Sequence, residues 1–277
     1  MNLQIFEKED VWHRLQRETK PLVLYGTGNG AEKLLGALAK YDIHVSDIFV
    51  SDEFYRHQSF CGYSCLTYQD ICQKYEDCII LIGFAVFRPE MLERIQTMQE
   101  RYEVLAPEVP VFGYDHFTAE DLTRYRREIE EIFPRLADET SKEVFQALLN
   151  YQLSGKLSYL FASQTPREEV FSNLFSFGKS ESYVDLGAYR GDTIAEFIRL
   201  TDGHFAKILA LEPDRRSYQK CRQYLSTLPE PLSSKITLLP FASWSKQETV
   251  EFDGGGGRNS TVGTGKETVS ATDLDSL

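Results

Sequence analysis

The chain has 277 residues, 42% of them hydrophobic and 13% aromatic, a composition that buries a core and has room for two modest domains. Its formal net charge of -12 and pI near 5.0 argue against nucleic acid or anionic lipid as partners, because both need clustered Lys and Arg. There is no apolar run of the roughly 20 residues that span a bilayer and no signal-peptide pattern in the opening MNLQIFEKEDVW, so the expected setting is cytoplasmic, without a membrane.

Residues 1–116 read as a Rossmann-like nucleotide-binding-type domain built on a parallel sheet. The apolar run Leu22-Val23-Leu24-Tyr25 predicts a buried strand, followed by the turn Gly26-Thr27-Gly28-Asn29-Gly30 and a helix with Ala31, Leu34, Leu35 and Leu38 at helical spacing. A second strand, Ile48-Phe49-Val50, ends in Ser51-Asp52, and a third, Ile79 to Ile82, ends at Gly83 before a helix around Met91 to Met98. The pattern Gly26-x-Gly28-x-x-Ala31, with Asp52 at the next strand end, fits a dinucleotide fingerprint. Two readings stay open for Gly26, Gly28, Ala31 and Asp52: a live nucleotide or nucleotide-sugar site, or a retained scaffold for substrate placement or dimer contact. Cys61, Cys65, Cys72 and Cys78 lack paired metal-ligand spacing and read as reduced thiols.

Residues 117–180 read as a helical connector. Thr118-x-x-Asp121 forms a capping box, with Leu122, Tyr125, Ile129 and Ile132 as one apolar face running to Pro134. A second helix is expected from about Thr140, with Val144, Leu148 and Tyr151 apolar, Phe145 and Leu149 beside them, and Gly155 as its cap.

Residues 181–277 return to alternation: strand Tyr183 to Ala188, helix Thr193 to Leu200, strand Ile208 to Leu211, helix Arg215 to Leu225, strand Ile236 to Leu239. A hairpin arm over Thr249 to Phe252 and a glycine loop at Gly254 to Gly257 follow, with no further strand expected. The turn Asp185-Leu186-Gly187-Ala188-Tyr189-Arg190-Gly191-Asp192 lets a ligand approach the backbone. Glu212, at the end of the next strand, is placed to accept the hydroxyl hydrogens of a ribose. Each has a plainer role available, since the glycines also make the turn and an acid before Pro213 also caps a helix. Tyr189 and Asp192 face either the ligand or solvent. The scattered histidines His13, His44, His57, His116 and His204 form no metal or triad pattern, so no metal is expected.

The wording YVDLGAYRGDT, LALEPD and FASWS resembles the FkbM family of class I methyltransferases, and LADETSKEVFQALLNYQLSGK resembles a connector found ahead of the catalytic core in some members. The resemblance implies S-adenosylmethionine as cofactor, with Asp185, Gly187, Ala188 and Gly191 lining its methionine and ribose portion, Glu212 on the ribose, and Ala242 and Ser243 beside adenine. It implies O-methylation of a sugar or other small hydroxylated metabolite, a nucleotide-sugar among them. The family pattern continues past TDLDSL into a strand with an acidic tip, so the methyltransferase domain is expected to be truncated and inactive, with no catalytic residue assigned. The uncovered strand Val184 to Ala188 should then recruit another segment or a second copy, giving a homo-oligomer. A non-catalytic nucleotide- or nucleotide-sugar-binding scaffold is the alternative.

Overall fold

The computed structural model describes residues 2–85, 89–110, 116–254, 261–263 and 265–277. The chain divides into two units, Met1–Gln164 and Thr165–Leu277. Both are α/β.

Unit 1 runs α1 (Val11–Gln16), β1 (Leu22–Tyr25), α2 (Asn29–Lys40), β2 (Asp47–Val50), β3 (Ser59–Phe60), β4 (Tyr63–Thr67), α3 (Tyr68–Lys74), β5 (Ile79–Ile82), α4 (Pro89–Gln99) and β6 (Glu103–Leu105). It ends in helices α5 (Ala119–Arg124), α6 (Arg126–Ile132), α7 (Glu139–Ser154) and α8 (Leu157–Ser163). The sheet order is β3-β4-β2-β1-β5-β6, parallel throughout except for the β3–β4 hairpin. Strand alternation splits the core in two. Leu22 and Leu24 join α1 and α2 on one face, while Val23 and Tyr25 join Ile71, Ile95 and Leu157 on the other. With both faces covered, β1 and β5 are buried along their whole length, which is why they read as continuous apolar runs.

The N-terminal segment is fastened to α7 by Asn150, whose side chain is 0% exposed. Its Oδ1 accepts from the Phe6 and Glu7 amides at 2.7 and 3.1 Å, and its Nδ2 donates to the Gln4 and Gln146 carbonyls at 3.2 and 2.8 Å. All four hydrogen-bonding positions of the amide are used, which makes its burial tolerable.

Unit 2 contains α9 (Arg167–Leu174), β7 (Ser182–Leu186), α10 (Asp192–Leu200), β8 (Lys207–Leu211), α11 (Arg215–Leu225), α12 (Glu230–Ser233), β9 (Ile236–Leu239), β10 (Ala242–Ser243), β11 (Glu248–Asp253), β12 (Thr261–Val262) and β13 (Glu267–Thr272). A parallel sheet β7-β8-β9 is accompanied by a separate sheet ordered β10-β13-β11-β12. Ile194 and Phe197 of α10 and Cys221 of α11 pack with Ile208 and Ala210 of β8. Residues of β7 that alternate with this buried set, Val184 and Leu186, are 45% and 47% exposed.

Several expectations are corrected. The Leu122-to-Ile132 helix is two helices broken at Tyr125, whose φ and ψ of -98° and 13° leave the helical range. Of its supposed apolar face Ile129 is buried, while Tyr125 and Ile132 are exposed. The next helix is capped by Asp138, which accepts from the Ser141 amide at 2.6 Å, so it starts before Thr140. That helix buries Leu149, one of the expected apolar positions, together with Leu153, and leaves Leu148 exposed. The expected end of strand structure after the hairpin arm is also wrong, since β13 lies between β10 and β11. Within the glycine loop, residues 255–257 lie outside the described residues.

Candidate functional site

The turn between β7 and α10 is shaped by the positions that sequence reading singles out. Asp185 is the fourth residue of β7, 7% exposed, and accepts a hydrogen bond from the Thr193 hydroxyl on α10. Gly187 leaves the strand, and a Cβ there would meet no atom within 4 Å, so this part of the turn borders open space. Ala188 is fully buried, and its amide donates to the Leu211 carbonyl at 2.8 Å. Gly191 is the N-cap of α10 at φ +87°, and a Cβ there would stand 2.7 Å from Tyr224 Cδ1. Glycine is therefore required twice over at Gly191, by backbone conformation and by the close approach of α11.

Glu212 follows β8 and is 6% exposed. One carboxylate oxygen accepts from the Tyr189 amide at 2.6 Å and the other from the Asp214 amide at 2.8 Å. Asp214 in turn caps α11 by accepting from the Ser217 amide at 2.7 Å. Burial pushes the pKa of Glu212 up, against the pull of these two amides and with help from the neighbouring charges of Asp214 and Asp185. Asp185 is likewise raised, first by burial and then by Asp192, with the Thr193 hydroxyl opposing. Among the described residues no Lys, Arg or His pairs with either carboxylate. The carboxyl ends of β7 and β8 thus gather two buried carboxyl groups beside the open turn at Gly187.

The structure brings Asp185, Gly187, Ala188, Gly191 and Glu212 together around adjacent strand ends, joined by β7–β8 pairing from Ser182–Lys207 to Leu186–Leu211. Ala242 and Ser243 belong to the other sheet of unit 2, where they pair with Ala271 and Thr272. Ala242 is buried there and Ser243 exposed. Sequence reading does not single out Thr193 or Asp214, and of Tyr189, which it places on this turn, the structure shows the backbone amide engaged with Glu212. Asp214-x-x-Ser217 is a readable capping pattern, whereas nothing local marks the φ of +48° at Tyr189, which is a tertiary outcome.

In unit 1, sheet order reverses around β1: β2 lies on one side and β5 on the other, the arrangement that opens a crevice at the carboxyl ends of the strands. Gly26 follows β1 there, Gly28 is the N-cap of α2, and Asp52 is exposed directly after β2. A Cβ on Gly28 would meet nothing within 4 Å, whereas one on Gly30 would lie 2.6 Å from the Gly83 carbonyl oxygen. Ala31 is fully buried against Gly83 and holds α2 close to the end of β5. Among the described residues no cluster of three metal-ligating side chains occurs, and no helix is long and apolar enough to cross a membrane.

No protein-family model and no curated protein matches the chain. Among solved structures it is similar to the crystal structure of Methyltransferase FkbM from Methylobacillus flagellatus KT, with a TM-score of 0.62 and 19% sequence identity over 98% of this chain and 70% of that one. What the two share is the fold.

Proposed function

We propose that the chain binds S-adenosylmethionine at the carboxyl ends of β7 and β8 and serves O-methylation of a sugar or small hydroxylated metabolite. The observation that carries this reading is the pair of buried carboxyl groups. Among the described residues Asp185 and Glu212 are buried without a basic partner, an arrangement suited to a ligand that brings positive charge. S-Adenosylmethionine carries a sulfonium and an ammonium.

The lone pairs also fit. Each Glu212 oxygen accepts one backbone hydrogen bond and keeps a further lone pair for one of the two ribose hydroxyls. The open space at Gly187 admits the ligand to the backbone, and Gly191 lets α11 pack close against the turn. When bound, the cofactor supplies an electrophilic methyl carbon. The chain's own contribution is alignment: Asp185, tied to α10 through Thr193, and Glu212, tied to both turns, fix the cleft walls. The likeness to a fold carrying the name methyltransferase supports this reaction class. In unit 1, the crevice bounded by Gly26, Gly28 and Asp52 is suited to a nucleotide or nucleotide-sugar.

Calorimetric titration tests the reading directly. S-Adenosylmethionine and S-adenosylhomocysteine should both bind, and a nicotinamide dinucleotide should not displace them from unit 2. Absence of binding by both, or displacement by the dinucleotide, would overturn it. Label transfer from methyl-labelled cofactor to a panel of sugars and nucleotide-sugars then identifies the acceptor.

A further inference from the structure

We infer that Glu212 is the latch that holds the Gly187–Gly191 turn in its receptive shape, a positioning role distinct from contact with the cofactor. The inference rests on the cofactor-site reading above and adds a mechanical function to it.

Three residues of this five-residue turn have positive φ: Gly187 at +134°, Tyr189 at +48° and Gly191 at +87°. The glycines adopt such values freely, but Tyr189 does not, because its Cβ crowds the carbonyl oxygen that follows. Something outside the turn must stabilise Tyr189 there. Its amide donates at 2.6 Å to Glu212, which lies 23 residues away in the sequence. The opposite oxygen of the same carboxylate is gripped at 2.8 Å by the Asp214 amide, at the cap of α11. The chain of contacts therefore runs from the α11 N-terminus through Asp214 and Glu212 to Tyr189, and it is charge-assisted at both links.

This arrangement needs a carboxylate in particular. An amide side chain would have to present its NH2 group to one of two backbone N–H donors, so a Gln could satisfy one link only. As a mere acceptor of a ribose hydroxyl, Gln would keep partial function. As a latch it cannot. Replacing Tyr189 by Gly removes the conformational strain that the latch opposes, whereas Ala removes the ring and retains the strain.

The test combines six affinities with an exchange measurement. Hydrogen exchange at the Tyr189 amide is followed by NMR in the ligand-free protein, and S-adenosylmethionine affinity is measured for the wild type, E212Q, Y189G and E212Q/Y189G, with Y189A and E212Q/Y189A as controls. The Tyr189 amide should be protected in the wild type and exchange about tenfold faster or more in E212Q. E212Q should weaken cofactor binding by about tenfold or more, and by clearly less in the Y189G background, with no such relief in the Y189A background. If E212Q does not fold, E212D serves, since it keeps the charge and withdraws the carboxylate by one methylene. Equal losses from E212Q in all backgrounds, or a Tyr189 amide whose exchange ignores residue 212, would overturn the latch. Failure of the wild type to bind the cofactor defeats the functional reading instead, and amide exchange then decides the latch alone.

Discussion

Asp185 and Glu212 are carboxylates that burial pushes toward the protonated form, and this gives the site a pH dependence with a definite sign. A carboxyl whose pKa is higher folded than unfolded ionises first in the unfolded chain. Without ligand, unit 2 should therefore lose stability as pH rises from the ordinary carboxyl range through the raised folded values, and level off above them. A cationic ligand favours the ionised carboxylates, so its binding should strengthen over the same window and release protons. Calorimetry in buffers of different ionisation enthalpy measures that release, and pH-independent binding would contradict the assignment. Glu212→Ala should cost about 2 kcal/mol or more of binding free energy, since it leaves ribose hydroxyls and the Tyr189 amide without their acceptor.

Two elements depend on single residues strongly enough for stability to report them. Gly191→Ala places a Cβ 2.7 Å from the Tyr224 ring at φ +87°, so unit 2 should lose about 2–4 kcal/mol, read as a lowered denaturant midpoint. In unit 1, Asn150→Asp keeps the size and an acceptor for the Phe6 and Glu7 amides, whereas Asn150→Leu keeps only the branching and leaves both amides without an acceptor. Asn150→Leu should cost about 2 kcal/mol or more and release the N-terminal segment to proteolysis; an unchanged midpoint would show that the segment contributes nothing. These dependences differ in how far they can be read from sequence. Gly191 belongs to a strand–glycine–helix pattern and was legible. Asn150 is a polar residue in the middle of a helix, and its importance comes from residues about 145 positions away.

For the whole molecule, the exposed apolar element is β7 of the β7-β8-β9 sheet. Among the described residues β7 pairs with β8 alone, and Val184 and Leu186 remain about half exposed. An edge with such side chains recruits partners. The protein should self-associate at high concentration, and the pair Val184→Lys and Leu186→Lys should reduce that association in light scattering. A wild type that stays monomeric, or a charged variant that associates equally, would remove this reading.

The sequence alone determined the elements whose periodicity and turn chemistry are local: the buried runs β1 and β5, the two glycine turns, helix α11 and the acid after β8. These were legible because strand burial, glycine conformation and helix spacing leave their mark within a few residues. Only the tertiary structure decided the order of the strands, the addition of β13 between β10 and β11, the break at Tyr125 and the partners of Asn150. It alone joined Glu212 to the backbone of Tyr189. These depend on contacts between distant segments, where a carboxylate or an amide is fixed by the donors that folding brings to it.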